Sequence, residues 1–244
     1  MNNIEGLKIA LIGYGKMGKT IESIALERGH TVNLKIDIDS LADFTAANLQ
    51  QCDVAIEFTG PHSAKENILK CLHAGIPVVS GSTGWLEHLN EVENICKEKN
   101  GAFLYASNFS VGVNIFFELN KKLAQLMKGH SDYSVSMEEI HHTQKKDAPS
   151  GTAITLAEQI MHEITDKKKW VNNDTDNPGE LSIISKREDP APGTHSIKYS
   201  SSIDDIEIIH TAHSRNGFAL GAVLAAEYIH NKKGIFKMKD ILFN

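Results

Sequence analysis

Residues 8–18 of the chain read KIALIGYGKMG, an aliphatic run that leads directly into three glycines in the pattern GxGxxG. Lys8 to Ile12 has the composition of a buried strand, and Met17 to Glu27 has helical periodicity. A glycine turn between a strand and a helix is typical of dinucleotide-binding domains, because it lets a pyrophosphate approach the helix N-terminus. The same glycines could also form an ordinary tight turn, so the surrounding sequence has to decide between the two.

The first hundred residues alternate short β-branched runs with amphipathic stretches. This alternation predicts βα units on a parallel sheet, and right-handed crossovers then give a Rossmann-type, doubly wound α/β domain. Besides Lys8 to Ile12, we predict strands at Thr31 to Asp37, Val54 to Phe58, Pro77 to Ser80 and Ala102 to Tyr105, and helices at Ser63 to His73 and Leu86 to Lys99.

An acidic residue follows the glycine loop at the spacing expected of a dinucleotide site. Asp37 ends the second predicted strand, about 20 residues after the loop, where a carboxylate accepts hydrogen bonds from the ribose hydroxyls. Ile38 replaces the arginine that often holds a 2′-phosphate, although Lys16 and Lys35 could supply a cation. We therefore expect NADH to be accepted and NADPH use to be possible. The alternative is that Asp37 is an ordinary exposed carboxylate at a strand end.

Two further loops follow predicted strands, at Gly81 to Gly84 and at Ala106 to Phe109. The carboxyl ends of parallel strands meet at the ligand-binding edge of a doubly wound sheet, where these loops could reach the nicotinamide. Ordinary turn composition explains each loop equally well.

After Asn108 the pattern changes to that of a second, α+β domain with a mostly antiparallel sheet. We predict helices at Val111 to Met127 and Thr152 to Ile164, a strand at Tyr133 to Ile140, and a surface loop at Asp166 to Glu180. Three closely spaced strands favour antiparallel pairing, namely Leu181 to Arg187, His195 to Ser201 and Ile206 to Thr211. The final predicted helix, Phe218 to His230, is apolar enough to cover the first sheet, so residues 1–110 and 216–244 form one predicted domain and residues 111–215 the other.

Residues 139–152, EIHHTQKKDAPSGT, carry the most informative chemistry. An imidazole titrates near neutrality, so His141 or His142 is a candidate proton donor, and Lys145 could neutralise a carboxylate or developing charge. The helix that starts at Ser150-Gly151-Thr152 offers N–H groups to an anion, so a small anionic substrate fits this segment. The alternative is a solvated surface cluster, and a metal would need a third ligand at suitable spacing.

Composition excludes several classes of protein. The chain has 244 residues, 41% of them hydrophobic, and a formal net charge of -6, so it lacks the basic footprint of a nucleic-acid or membrane-surface protein. Its three cysteines, Cys52, Cys71 and Cys96, form no CxxC pair and indicate reduced thiols in a cytoplasmic protein. We find no export signal and no apolar run of membrane-spanning length.

The segment from Glu139 to Ala153 resembles the E-x-H-H-x-x-K-x-D-A-P-S-G-T-A signature of the 4-hydroxy-tetrahydrodipicolinate reductases, enzymes of the diaminopimelate route to lysine, and fills every fixed position. Further matches are Asn108 to Asn114, Gly81 to Gly84, Ser214-Arg215, Phe218-Ala219 and Gly221-Ala222. The resemblance therefore extends over nearly the whole chain. Two departures are the shorter glycine loop and Ile38 in place of a basic residue.

The resemblance implies a reductase that transfers hydride from NADH or NADPH to a conjugated cyclic imine with two carboxylates. It implies that His141 is the proton donor, that Lys145 is a second donor or stabiliser, and that His142, Gly151 and Thr152 contact the substrate. The implied cofactor-binding residues are Gly13, Tyr14, Gly15, Lys16, Met17, Gly18, Asp37, Gly81, Ser82, Thr83, Ala106, Ser107, Asn108 and Phe109. It also implies that residues 111–215 bind substrate and assemble a homotetramer, and it implies no metal ligand.

Two alternatives to this function stay open. Another two-domain dehydrogenase, acting on an amino acid or aldehyde acid, would keep the glycine loop but has no use for two carboxylate-binding features beside a His and Lys pair. A non-catalytic regulator that senses NADH would need a helix-turn-helix or a basic surface to reach a partner, and the sequence shows neither.

Overall fold

The computed structural model describes residues 6–243. The chain divides into two compact units, Met1–Val111 with Asn216–Asn244, and Gly112–Arg215. Each unit has a sheet of its own.

The first unit contains a six-stranded parallel sheet in the order β11-β5-β4-β3-β1-β2. Its strands are β1 (Lys8–Ile12), β2 (Thr31–Ile36), β3 (Val54–Glu57), β4 (Val78–Ser80), β5 (Ala102–Tyr105) and β11 (Gly234–Phe236). Its helices are α1 (Lys16–Glu27), α2 (Ala46–Leu49), α3 (Ala64–His73), α4 (Leu89–Glu98), α7 (Asn216–Ile229) and α8 (Met238–Leu242). The Rossmann-type, doubly wound prediction is confirmed.

Helix α7 returns from late in the chain to cover one face of this sheet, as its apolar composition predicts. Its alanines pack with Leu11, Ile56 and Leu104 of the sheet in one buried cluster. Helices α3 and α4 cover the other face, where all three cysteines are buried with free thiols. Burial on both faces explains why the central strands are continuous apolar runs rather than alternating ones.

The second unit has a five-stranded sheet in the order β10-β9-β6-β8-β7, backed by helices α5 (Val111–Met127) and α6 (Gly151–Glu163). Its strands are β6 (Ser134–His141), β7 (Lys169–Val171), β8 (Glu180–Arg187), β9 (Gly193–Ser200) and β10 (Asp205–Ala212). The α+β class is confirmed, but the sheet is mixed: β9 pairs antiparallel with β6 and β10, whereas β8 pairs parallel with β6 and β7. The prediction that β8, β9 and β10 all pair antiparallel is therefore wrong, because β6 lies between β8 and β9 and pairs parallel with β8.

Several elements differ from the sequence prediction. The predicted loop Asp166 to Glu180 contains β7, which is too short and too polar to show a strand pattern. Leu86 to Lys99 is interrupted, since a 3-10 turn at Leu86–His88 precedes α4. Asp37 lies just beyond β2 and caps a 3-10 segment, Ile38–Asp43. Among the helices of residues 6–243, none has the length and hydropathy needed to cross a membrane.

A buried carboxylate links helix α7 to the end of α1. The Glu227 carboxylate accepts bonds from Arg28 Nε at 2.6 Å and Nη2 at 2.8 Å, and it lies 2.8 Å from His30 Nε2. His30 Nδ1 in turn accepts the backbone N–H of Leu7. Burial acts to raise the pKa of Glu227, but the bonds from Arg28 and His30 outweigh it and hold the pKa below the ordinary value.

We expect Glu227→Gln to lower the free energy of unfolding by about 2 kcal/mol at pH 7, because a buried charged partner is lost beside the partly exposed Arg28. A carboxyl with a lowered folded pKa stabilises the fold above its unfolded pKa, and that stability is lost as pH falls below about 4.5. Urea unfolding should therefore show a smaller difference in the free energy of unfolding between wild type and variant at pH 4 than at pH 7. Glu91→Gln, at the solvent-screened ion pair with Lys65, is the control and should change the free energy of unfolding far less than Glu227→Gln does.

Candidate active site

The glycine loop between β1 and α1 has the shape that a dinucleotide pyrophosphate requires. A methyl group at Gly13 would lie 2.1 Å from the carbonyl oxygen of Phe58, and one at Gly18 would lie 2.3 Å from that of Gly13. Gly13 also has a φ of +96°, which L side chains rarely adopt. The middle glycine, Gly15, has nothing within 4 Å of its missing methyl, so its backbone is open to a ligand. The residues present therefore fit a bound nicotinamide dinucleotide.

A small polar network connects the end of β2 to this loop and to helix α1. Lys35 Nζ lies 2.6 Å from Glu22 Oε1 and 4.9 Å from the ring centroid of Tyr14, whose hydroxyl also donates to Glu22. Asp37 Oδ1 accepts the N–H of Ile38, a residue that is 79% exposed. Lys35 is thus already engaged by a carboxylate.

The loops after β3, β4 and β5 meet around Phe58. Its ring would contact a methyl group at Gly81 at 2.2 Å and lies 5.5 Å from the ring of Phe109. The structure therefore brings the predicted cofactor segments Gly13–Gly18, Gly81–Thr83 and Ala106–Phe109 to one edge of the sheet. Phe109 itself is in the core, only 2% exposed, and its backbone oxygen packs on Gly221 of α7.

In the second unit, a ladder of side chains on one face of β6 and β9 turns from apolar to polar. Val135 pairs with Tyr199, Met137 with Ile197, and Glu139 with His195. Residues two apart share a face of a strand, so His141 continues this buried row. Opposite His141 stands Gly193, where a methyl group would lie 3.1 Å from His141 Nε2. Because Gly193 has no side chain, the His141 imidazole can pack against its backbone.

Glu139, His141 and His195 form a buried polar cluster at the end of this ladder. Glu139 Oε2 lies 3.5 Å from His141 Nδ1 and 3.7 Å from His195 Nε2, and the two rings are 5.1 Å apart. The Glu139 carboxylate also accepts the Ser150 N–H at 3.0 Å and lies 3.4 Å from Arg187 Nη2. One carboxylate therefore contacts the candidate acid, His141, and the residue that caps helix α6.

The N-terminus of α6 is built by Ser150, whose hydroxyl accepts the N–H of Ala153 and lies 3.2 Å from His195 Nε2. Gly151, the first helical residue, is exposed, and Thr152 is partly buried. The positive end of the helix dipole at this point favours an anion. His142 follows His141 at the end of β6 and is partly exposed.

The segment between β6 and α6 is held by Arg187 of β8. Arg187 donates to the carbonyl oxygens of Asp147 at 2.5 Å and of Lys145 at 3.4 Å. Lys145 is partly exposed, and its Nζ donates to Asp147 Oδ2 at 2.9 Å. The sequence pattern did not identify Arg187 or His195 as site residues, because both belong to strands that pair across the sheet. Only their alternation with apolar neighbours could have suggested that they face inward.

Three donor atoms of Glu139, His141 and His195 lie within 4.8 Å of one another, the closest approach to a metal-ligand set among residues 6–243. Arg187 and the Ser150 N–H already occupy the Glu139 carboxylate, and Lys145 adds a second positive charge nearby. This donor chemistry favours a proton-bearing site over a cation site.

Burial controls the titration of the two histidines. It lowers the pKa of His141, an effect that Glu139 opposes and Lys145 and Arg187 reinforce. Burial, with the neighbouring His141, also lowers the pKa of His195 to about 4. Burial acts to raise the pKa of Glu139, but hydrogen bonds from Ser150 and Ser185 and the charge of His141 outweigh it and lower the pKa.

Comparison of the sequence with known proteins identifies the family of this chain. The family described as "Dihydrodipicolinate reductase, N-terminus" matches residues 7–109, and "Dihydrodipicolinate reductase, C-terminus" matches residues 112–242. A 4-hydroxy-tetrahydrodipicolinate reductase of Christiangramia forsetii is 55% identical over 240 residues, 97% of this chain and 98% of that one. The chain belongs to the dihydrodipicolinate reductase family.

Two further comparisons agree with this family assignment. A 4-hydroxy-tetrahydrodipicolinate reductase of Methanosarcina acetivorans is 36% identical and covers 96% of this chain and 88% of its own. The solved structure of a dipicolinate-bound dihydrodipicolinate reductase from Paenisporosarcina sp. TG-14 superposes with a TM-score of 0.76 at 22% identity, over 96% of this chain and 98% of that one, and so shares the fold. This dihydrodipicolinate reductase family member is an oxidoreductase that uses a nicotinamide cofactor.

We expect NMR titration of the imidazole carbons to show His195 titrating near pH 4 and His141 below pH 6.5. Glu139→Gln should lower the His141 pKa further, because the anion that favours imidazolium is removed. The exposed His162, which lies beside Glu163 rather than Glu139, serves as the internal control, and its carbon signals should be the same in both proteins. An unmoved His141 pKa would show that Glu139 does not act on that ring.

Proposed function

We propose that this protein reduces 4-hydroxy-tetrahydrodipicolinate, or the dihydrodipicolinate formed from it by loss of water, to tetrahydrodipicolinate in the diaminopimelate route to lysine. The observation that carries the proposal is the cluster around Glu139: a buried imidazole, His141, and the anion-binding start of α6 are held by the same carboxylate. The names of the relatives support the same substrate.

The reaction removes water and adds one hydride and one proton across a C=C bond conjugated to C=N. When bound, the nicotinamide cofactor supplies the hydride. The electron-rich ring left by hydride addition needs a proton, and we assign that proton to His141. Lys145 neutralises a substrate carboxylate or the developing charge, and His142, Gly151 and Thr152 contact the dicarboxylate.

We assign the cofactor to the first unit and the substrate to residues 111–215. The cofactor contacts are the loops already described, with Asp37 accepting bonds from the ribose. NADH binds at least as tightly as NADPH in this proposal, because Lys35 is held by Glu22 and the exposed Ile38 offers no cation to a 2′-phosphate. We further propose a homotetramer assembled through the second sheet, whose edge strand β10 exposes Ile206 and Ile209.

Replacement of the assigned proton donor tests the function. We expect His141→Gln to lower kcat for reduction of 4-hydroxy-tetrahydrodipicolinate by about 10²- to 10⁴-fold, the usual size of a general-acid contribution, with the Kd for NADH unchanged. Lys145→Met should lower kcat and weaken binding of pyridine-2,6-dicarboxylate together. His162→Gln, on the exposed face of α6, is the control for a histidine substitution. Wild-type turnover by His141→Gln would reject the assigned role.

The cofactor assignment has a separate test. We expect Gly15→Val to abolish NADH fluorescence enhancement while leaving Tm nearly unchanged, because nothing in the protein lies within 4 Å of the added Cβ. Asp37→Ala should weaken NADH binding by about tenfold, the equivalent of one lost hydrogen bond to a charged group. Ile38→Arg should tighten NADPH binding and leave NADH binding unchanged. Normal NADH binding by Gly15→Val would place the cofactor elsewhere.

A further inference from the structure

Glu57 is a carboxylate in an otherwise aliphatic strand. It is the last residue of β3, its side chain is completely buried, and it lies between the apolar core and the loop edge of the first sheet. A buried carboxylate is costly unless its oxygens are well bonded, so its presence calls for a physical reason.

The four bonds to this carboxylate all come from neutral donors. Glu57 Oε1 accepts the Thr59 N–H at 2.8 Å, the Thr59 hydroxyl at 2.5 Å and the Ser82 hydroxyl at 2.7 Å. Oε2 accepts the Ser80 hydroxyl at 2.6 Å. Within residues 6–243, Glu57 makes no ion pair with a lysine, arginine or histidine. The carboxylate therefore acts as a multiple acceptor rather than as half of an ion pair.

Ser80 is the last residue of β4, and the other donors belong to the loops that follow two adjacent strands. Thr59 begins the loop after β3, and Ser82 lies in the loop after β4, the predicted cofactor segment Gly81 to Thr83. The Thr59 N–H also donates to Ser82 Oγ at 2.9 Å, and the backbone oxygen of Glu57 accepts the Gly81 N–H at 2.9 Å. Glu57 thus fixes the distance between the two loops.

The glycine loop depends on the same turn. The Phe58 N–H donates to the carbonyl oxygen of Ile12 at 2.8 Å, and the Phe58 oxygen occupies the space where a Gly13 side chain would be. Phe58 lies in the chain between Glu57 and Thr59, which are hydrogen-bonded to each other. A rearrangement of residues 57–59 would therefore displace the backbone that packs on Gly13.

We propose that Glu57 is a positioning residue for the nicotinamide cofactor: its buried carboxylate holds the loops after β3 and β4 in the arrangement that the cofactor binds. Glu57 is fully buried, so it acts through Thr59, Ser82 and Phe58 and does not itself touch a ligand. The inference rests on the proposed cofactor site at these loops. Glutamine cannot replace it fully, because its amide oxygen can take the three bonds made to Oε1 but its NH₂ group cannot accept the Ser80 hydroxyl that Oε2 accepts.

The test compares two buried carboxylates of the same unit, Glu57 and Glu227, in the full-length protein. NADH Kd is measured by fluorescence, Tm by calorimetry without cofactor, and amide exchange by mass spectrometry. We expect Glu57→Gln to raise the NADH Kd at least tenfold and to speed exchange over residues 58–60 and 81–84 while β1 stays protected. Both Glu57→Gln and Glu227→Gln should lower Tm, and to a similar extent. The NADH Kd of Glu227→Gln, however, should stay within twofold of wild type. An NADH Kd within twofold of wild type for Glu57→Gln overturns the proposal.

A milder variant decides the matter if Glu57→Gln does not fold. Thr59→Val keeps the N–H and removes the hydroxyl, which donates to Oε1 and accepts bonds from Ser63 and Asn67. We expect it to raise the NADH Kd at least threefold. Thr45→Val, which removes a hydroxyl at the start of α2, is its control and should leave the Kd unchanged. An unchanged Kd for Thr59→Val likewise overturns the proposal.

Gly15→Val separates this inference from the cofactor assignment. If Gly15→Val loses NADH and Glu57→Gln does not, the cofactor site stands and only the role of Glu57 is wrong. If Gly15→Val binds NADH normally, the assigned site is wrong and the role of Glu57 falls with it.

Discussion

The close backbone contact between Gly13 and Phe58 is the constraint on which the ligand edge of the first sheet depends. A methyl group at Gly13 would lie 2.1 Å from the Phe58 oxygen, so only glycine lets β1 turn into α1 at this place. That turn leaves Gly15 open to a ligand, and Phe58 in turn packs on Gly81 and Phe109. The glycine pattern is therefore the local consequence of how closely β1 and β3 approach, and packing alone already requires the geometry that leaves Gly15 open.

The sequence predicted the elements that have a strong period and missed those that depend on a partner. Helix α5 has the predicted bounds, Val111–Met127, because seventeen residues of apolar periodicity leave little ambiguity. Strand β8 was predicted as a strand, but its parallel pairing with β6 was not, since side-chain alternation carries no information about neighbour or direction. Strand β7 has three residues and lies within a polar segment, so only the sheet edge that it completes defines it.

The candidate site shows the same division. His141 and Lys145 stand in a contiguous motif, so the sequence alone was enough to predict them as site residues. The partners of His141 are set by the register of β6 against β9, which places Glu139 opposite His195 and His141 beside Gly193. No local pattern encodes a register between segments more than fifty residues apart. Glu57 did carry a signal, a single acid at the end of an aliphatic run, but its meaning requires Thr59 and Ser82 to be located in space.

Three buried carboxylates within residues 6–243 are stabilised by three different sets of partners, and the sets correspond to different roles. Glu227 contacts Arg28 and His30, a pairing that stabilises the packing of α7 on α1. Glu139 contacts a backbone N–H, an arginine and two imidazoles, so its charge acts on groups that titrate. Glu57 contacts only hydroxyls and one N–H, which carry no charge and do not titrate in the physiological range. Partners without charge make this carboxylate a geometric link between the loops that follow β3 and β4.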